Sequence, residues 1–228
     1  MTEQQTIAGE LAVLSPVTAI INASITEFAK LLPPSLPPEK FARWGLSVLR
    51  AGVNPGTTEQ QRKTAEQWAR VLAPGNEAGR LSVMSALMDC ASLGLEPGRE
   101  YHLVPFGGTV SGITDYKGEV RLITNARKDT LVVAQLVRAG DQFEFHGPHC
   151  FPEYRGMPFS DAEVEGGYAF TLTAGELSSM VITMGRAEFD KHEARGGPIW
   201  KQWRDAMQRK TLVHQVRKLV PWSPERQW

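Results

Sequence analysis

The hydrophobic period of this chain changes at residue 101, and that change constrains the fold more than any other feature. Up to Gly94 apolar residues recur at helical spacing between breakers; from Tyr101 they come in short runs bounded by glycine, and the last 40 or so residues are helical again. Ser15 and Pro16 supply a cap and a first-turn proline for a helix over Val17–Leu32, which "LPPSLPP" stops. Pro38 opens a second helix through Phe41, Trp44 and Leu49 to a stop at Gly52. Thr58 with Gln61 reads as a capping box for a third, through Trp68 and Leu72, and a fourth covers Leu81–Leu93.

Beyond that point "YHLVPFGGTVSGITDY" predicts a β-hairpin turning at Gly107 and Gly108, with Pro105 at an edge or bulge. "GEVRLITNARK" places Val120, Ile123 and Ala126 on one helical face, so a helix begins near Gly118. "LVVAQLVRAGDQFEFHG" reads as two strands about Ala139–Asp141, and "GGYAFTLTAGELSSMVITM" as two more about Ala174 and Gly175. Five or six antiparallel strands carrying helices give an α+β fold, a small antiparallel sheet with packed helices.

A hydrophobic content of 42% and a charged content of 22% exclude general disorder. The net charge of +0 argues neither for nor against a polyanion partner, but its distribution is uneven. From Arg186 to Trp228 ten Lys or Arg stand against five Asp or Glu, and the rest of the chain carries the compensating acidic excess. Cys90 and Cys150 are too few for a disulfide framework, which favours a reducing cytoplasm. No apolar run approaches the roughly 20 residues of a membrane span, and the N-terminus has no basic leader.

The strongest motif is "IWKQWRDAMQRKTLVHQVRKLV", residues 199–220. At about 100° per residue, Trp200, Trp203 and Met207 share one arc of a helix with Lys210, His214, Arg217 and Lys218, while Leu212, Val213, Val216 and Val220 lie opposite. Cations neutralise phosphates and flat rings receive bases, so the stripe suits single-stranded nucleic acid. The residues alone leave open a second reading, in which the tryptophans are core and the charges a solvated face.

Two metal-dependent readings compete. Asp115-Tyr116-Lys117 fits the "(D/E)xK" half of a nuclease pattern, in which a carboxylate holds Mg²⁺ and a lysine assists attack on phosphate. That pattern wants a second acid on the preceding strand, and "YHLVPFGGTV" supplies none. His146, His149 and Cys150, with His102, could be imagined around zinc, but lack rigidly spaced ligand pairs and read better as a loop with a buried cysteine. "PFGG" lacks the lysine and hydroxyl of a phosphate loop, and no nucleophilic triad is present. No cofactor and no metal are expected.

In combination, "LPPSLPPEKFARWGLSVLR", "SALMDCASLGLEPGREYHLVPFGG", "GITDYKGEVRLI", "GYAFT" and "PIWKQWRDAMQRKTLVHQVRKLVPW" resemble the RecT/Redβ family of phage single-strand annealing proteins. The resemblance covers roughly residues 30–222, with residues from Asn54 to Gly79 as an insertion. It implies an N-terminal helical oligomerisation segment (1–30), a DNA-annealing domain (31–222) and a short tail (223–228). It also implies an ATP-independent protein of the bacterial host cytoplasm that binds single-stranded DNA, anneals complementary strands and holds the duplex in a ring or helical homo-oligomer. A phage exonuclease and the host single-strand binding protein are the implied partners. Arg204, Lys210 and Arg217 match the family's basic DNA-contacting positions, and Lys117 matches the lysine of its "YKG" turn. Charge and helical position add Arg121, Arg127, Lys128, Arg209, His214 and Lys218, and Tyr116 and Trp203 are the rings placed beside them.

Overall fold

A computed structural model describes residues 17–196, 200–201 and 203–227. The chain divides into two compact units, Met1–Gly118 and Glu119–Trp228. No helix among the described residues is long and apolar enough to cross a membrane.

In the first unit residues 17–23 are helical, the chain turns at Ser24, and α1 (Ile25–Leu31) follows. The single helix expected over Val17–Leu32 is thus interrupted, and its Ser15 cap and Pro16 lie outside the described residues. Helix α2 (Pro38–Val53) starts on Pro38, whose fixed φ and missing N–H suit a first turn. Helix α3 (Glu59–Val71) carries the expected capping box: Thr58 Oγ1 accepts from the Gln61 N–H at 3.2 Å, and Gln61 Oε1 accepts from the Thr58 N–H at 3.0 Å.

Helix α4 (Glu77–Ser92) begins earlier than the apolar period shows, because its start is fixed by a cap. Asn76 Oδ1 accepts from the Gly79 N–H at 2.9 Å, and Asn76 Nδ2 donates to the Gly108 carbonyl at 2.8 Å. One side chain therefore caps α4 and ties it to the turn between β1 (Tyr101–Phe106) and β2 (Thr109–Thr114). That turn is Gly107–Gly108, with φ of 58° and 82°, the left-handed pair a two-residue hairpin needs. One hairpin face, with Tyr101, Leu103 and Val110, is buried, and the hairpin packs on α4. Phe28 meets Phe41 edge to face at 5.1 Å, and Ile21 and Leu49 are likewise fully buried.

Helix α5 (Tyr116–Ala126) crosses the boundary between the units. In the second unit β3 (Thr130–Arg138) pairs antiparallel with β6 (Val164–Thr173) along its length. The other edge of β6 is shared by β7 (Glu176–Leu177) and β8 (Ile182–Gly185). Alternation divides the side chains between two cores. Leu136, Val164, Ala169 and Met184 meet Ile123 of α5, Phe189 of α6 (Arg186–Gly196) and Leu212, Val213 and Val216 of α7 (Arg204–Arg217). On the opposite face Val137, Tyr168 and Phe170 pack against Phe143 and Tyr154, which come from the hairpin of β4 (Gln142–Glu144) and β5 (Glu153–Arg155).

The α+β class stands as expected. Eight strands are present among the described residues rather than five or six, in three separate antiparallel groups. The strand expected after Ala139–Asp141 is β4, and the one expected after Ala174 and Gly175 is split into β7 and β8; β5 is the unforeseen strand, its three residues too few to show a period of two. The late helix also differs: α7 spans Arg204–Arg217, and Trp203, at φ −129° and ψ 45°, breaks it from helical residues 200–201. Trp200 is buried with its ring stacked on His192 at 6.4 Å, so it serves the core and does not extend the cationic stripe. Ile199, where that helix was expected to begin, lies outside the described residues.

Candidate nucleic-acid interface

The "YKG" turn is built by Asp115. Its Oδ1 accepts the Gly118 N–H at 2.9 Å, which satisfies one of the free donors at the start of α5, and His102 Nε2 lies 3.4 Å from its Oδ2. Gly118 is required by close approach: a Cβ there would stand 2.5 Å from the Glu100 carbonyl oxygen and 2.8 Å from Thr114 Cγ2. Lys117 and Tyr116 follow the cap and are exposed. Lys117 has no ion-pair or hydrogen-bond partner among the described residues, and the helix macrodipole disfavours a cation in a first turn. Its ammonium group therefore gains no ion pair or hydrogen bond from the fold among the described residues.

On α7 the cations divide by what they touch. Arg204 Nε donates to Glu193 at 2.8 Å and its Nη2 to Asp190 at 3.3 Å, which ties the start of α7 to α6. The next residue, Asp205, pairs with Arg138 at the end of β3. Lys210 is half-buried, and Lys218 is exposed with its Nζ 3.2 Å from Gln215 Oε1.

His214 and Arg217 both turn toward Glu119, which is 2% exposed. His214 Nδ1 lies 3.0 Å from Oε1, and Arg217 Nη1 donates to Oε2 at 2.9 Å. Burial by itself pushes the Glu119 carboxyl up, but the hydrogen bonds from His214 and Arg217 and their charges outweigh it and hold the group below the ordinary glutamate range. Arg217 also lies over the Trp222 ring, 4.9 Å from its centroid. The fold thus employs two side chains of the expected DNA-binding set to neutralise a buried acid.

Arg209 is different. It is half-buried, has no ion-pair or hydrogen-bond partner among the described residues, and lines a cavity of about 350 Å³ with Arg138, Asp141, Tyr154 and Phe159. Arg127 and Lys128 are exposed and likewise unpartnered among the described residues, just before Asp129 (φ 57°) turns the chain into β3. Arg121 is half-buried on α5, and Trp203 is 59% exposed. Sequence reasoning passed over Arg138, Glu119 and Phe159. Only the aromatic character of Phe159, between Pro158 and Ser160, was there to notice.

For the nuclease reading, Asp115 is occupied as a helix cap and belongs to no metal-sized group of ligands among the described residues. The ligands imagined around zinc do not assemble. His146 sits between Glu153 at 3.4 Å and Glu144 at 3.9 Å on the β4–β5 hairpin, His102 faces Asp115, and Cys150 is exposed rather than buried. The buried cysteine is Cys90, whose thiol burial pushes up.

Comparison with known proteins agrees with the motif order. One relative, Protein RecT of Escherichia coli (strain K12), is 28% identical over 185 residues, covering 74% of this chain and 68% of its own length. The model of the RecT family matches residues 57–227, three quarters of the chain, including the "YKG" turn, the sheet of the second unit and all of α7. This chain belongs to the RecT family.

Proposed function

We propose that the protein binds single-stranded DNA and anneals complementary strands during recombination, without ATP and as a homo-oligomer. Membership of the RecT family across residues 57–227 carries this reading. The cations that have no ion-pair or hydrogen-bond partner among the described residues supply its chemistry. Lys117 of the first unit and Arg127, Lys128 and Arg209 of the second are the leading phosphate contacts. Lys210, Lys218 and Arg121 are further phosphate contacts by charge alone, since each also has a contact within the fold, and Tyr116 and Trp203 are exposed rings. Arg204, His214 and Arg217 act chiefly by holding α7 in place through Asp190, Glu193 and Glu119.

Annealing brings two polyanions together. Lysine and arginine cancel their repulsion and release counterions, while base edges remain open to pair. Pairing reads the sequence, so contacts to phosphate suffice and no base-specific side chain is needed. Energy comes from the duplex formed, which is why no nucleotide cofactor enters. A phage exonuclease producing single strands and the host single-strand binding protein covering them are the partners this role calls for, in a bacterial cytoplasm.

The test is fluorescence anisotropy of a labelled oligo-dT across a NaCl series, with no ATP present. Binding whose affinity falls steeply with salt supports the reading, because each phosphate contact contributes about 0.7 to the slope. No binding at low salt would remove it.

A further inference from the structure

The loop that follows β5 presents one residue in an unusual way. Phe159 is 102% exposed, and its φ is 62°, the left-handed region that a bulky side chain rarely occupies. An aromatic ring in water and a left-handed backbone each cost stability, so the surrounding structure must hold the loop. It does. Asp141 Oδ1 accepts the Met157 N–H at 3.0 Å on one side of the loop, and Arg138 Nη1 donates to the Ala162 carbonyl at 2.7 Å on the other. Asp141 is itself fixed by the Arg138 N–H at 2.8 Å and the Tyr154 hydroxyl at 3.0 Å. Phe159 therefore stands at the crest of a loop anchored at both ends, on the rim of the cavity that Arg209 lines.

We propose that Phe159 is a base-stacking residue for single-stranded DNA, with Arg209 taking the phosphate of the same or the adjoining nucleotide. An exposed ring on the same cavity as a cation with no partner among the described residues offers the two contacts a nucleotide needs, a flat apolar face and a positive charge. Asp141, the one carboxylate among the described lining residues, is committed to three donors, so it does not draw Arg209 away from a phosphate. Stacking is indifferent to base identity, as annealing of any sequence requires. This inference rests on the single-strand reading above.

The test titrates an oligo-dT carrying one 2-aminopurine with the wild type, Phe159→Ala, Phe159→Tyr and Arg209→Gln, at several NaCl concentrations. Phe159→Ala weakens binding about tenfold, with the salt slope unchanged and the 2-aminopurine quenching reduced, and Phe159→Tyr restores both. Arg209→Gln lowers the salt slope by about 0.7. Wild-type affinity and quenching in Phe159→Ala, alongside a lowered slope in Arg209→Gln, would overturn the stacking role and leave the DNA reading intact. Failure of the wild type itself to bind removes both. Sedimentation separates the remaining case: loss of self-association in Phe159→Ala with quenching intact makes the ring a contact between protein copies and refutes the proposal.

Discussion

Removing the Arg217 side chain should destabilise the protein more than its place on a basic helix implies. Glu119 is 2% exposed, and its two oxygens are held by His214 at 3.0 Å and Arg217 at 2.9 Å. Arg217→Ala strands a buried carboxylate with only the imidazole, and breaking such a pair costs on the order of 3–5 kcal/mol. His214 remains, and the Arg217 side chain is itself 17% exposed, so the lower end, about 3 kcal/mol, applies. For a chain of this size that is a fall in Tm of about 6–12 °C, read by circular dichroism. The double substitution Glu119→Met with Arg217→Met should regain most of the loss, because it leaves no buried charge behind. The sign with pH follows from the lowered pKa of Glu119. Its contribution is fully present above the unfolded glutamate value of about 4.3 and disappears as pH falls through the lower folded value, so the gap between wild type and Glu119→Gln closes in acid. A Tm change in Arg217→Ala below about 2 °C, or a double variant as unstable as the summed single ones, would refute the buried-pair account.

Gly118→Ala pushes a Cβ to 2.5 Å from the Glu100 carbonyl oxygen, and urea denaturation should show a loss of about 1–3 kcal/mol. Asp115→Ala removes the α5 cap at a cost of about 1 kcal/mol, while incubation with Mg²⁺ leaves labelled DNA strands full length before and after the substitution. Lys117→Gln leaves the unfolding free energy within about 0.5 kcal/mol of the wild type, since it breaks no ion pair or hydrogen bond among the described residues, yet lowers the salt slope of single-strand binding by about 0.7.

What was legible in the sequence was mostly local. The Thr58–Gln61 box, Pro38 at the first turn of α2 and the Gly107–Gly108 turn involve residues at most a few positions apart, and each formed as its chemistry dictates. The start of α4 was misplaced because Asn76 serves two partners, one of them 32 residues away. The same limit governs the candidate site. Arg217 meets Glu119 across 98 residues, and no periodicity in α7 distinguishes a cation facing a buried acid from one facing solvent. Helical spacing correctly put Leu212, Val213 and Val216 in the core, but it continued the stripe through Trp203, where the backbone leaves the helix, and so missed that Trp200 is buried. Phe159 was invisible for a further reason: an exposed aromatic in a loop has no pattern, and only the anchors at Asp141 and Arg138 give it a fixed position.

The proposed activity is the pairing of strands without covalent change to them. Mixing it with two complementary labelled oligonucleotides, with Mg²⁺ and without ATP, measures this directly. Duplex should form faster than the spontaneous rate, from strands that remain full length on a denaturing gel. Pairing at the spontaneous rate despite bound DNA, or strands that shorten in the wild type and stay whole in Asp115→Ala, would contradict it.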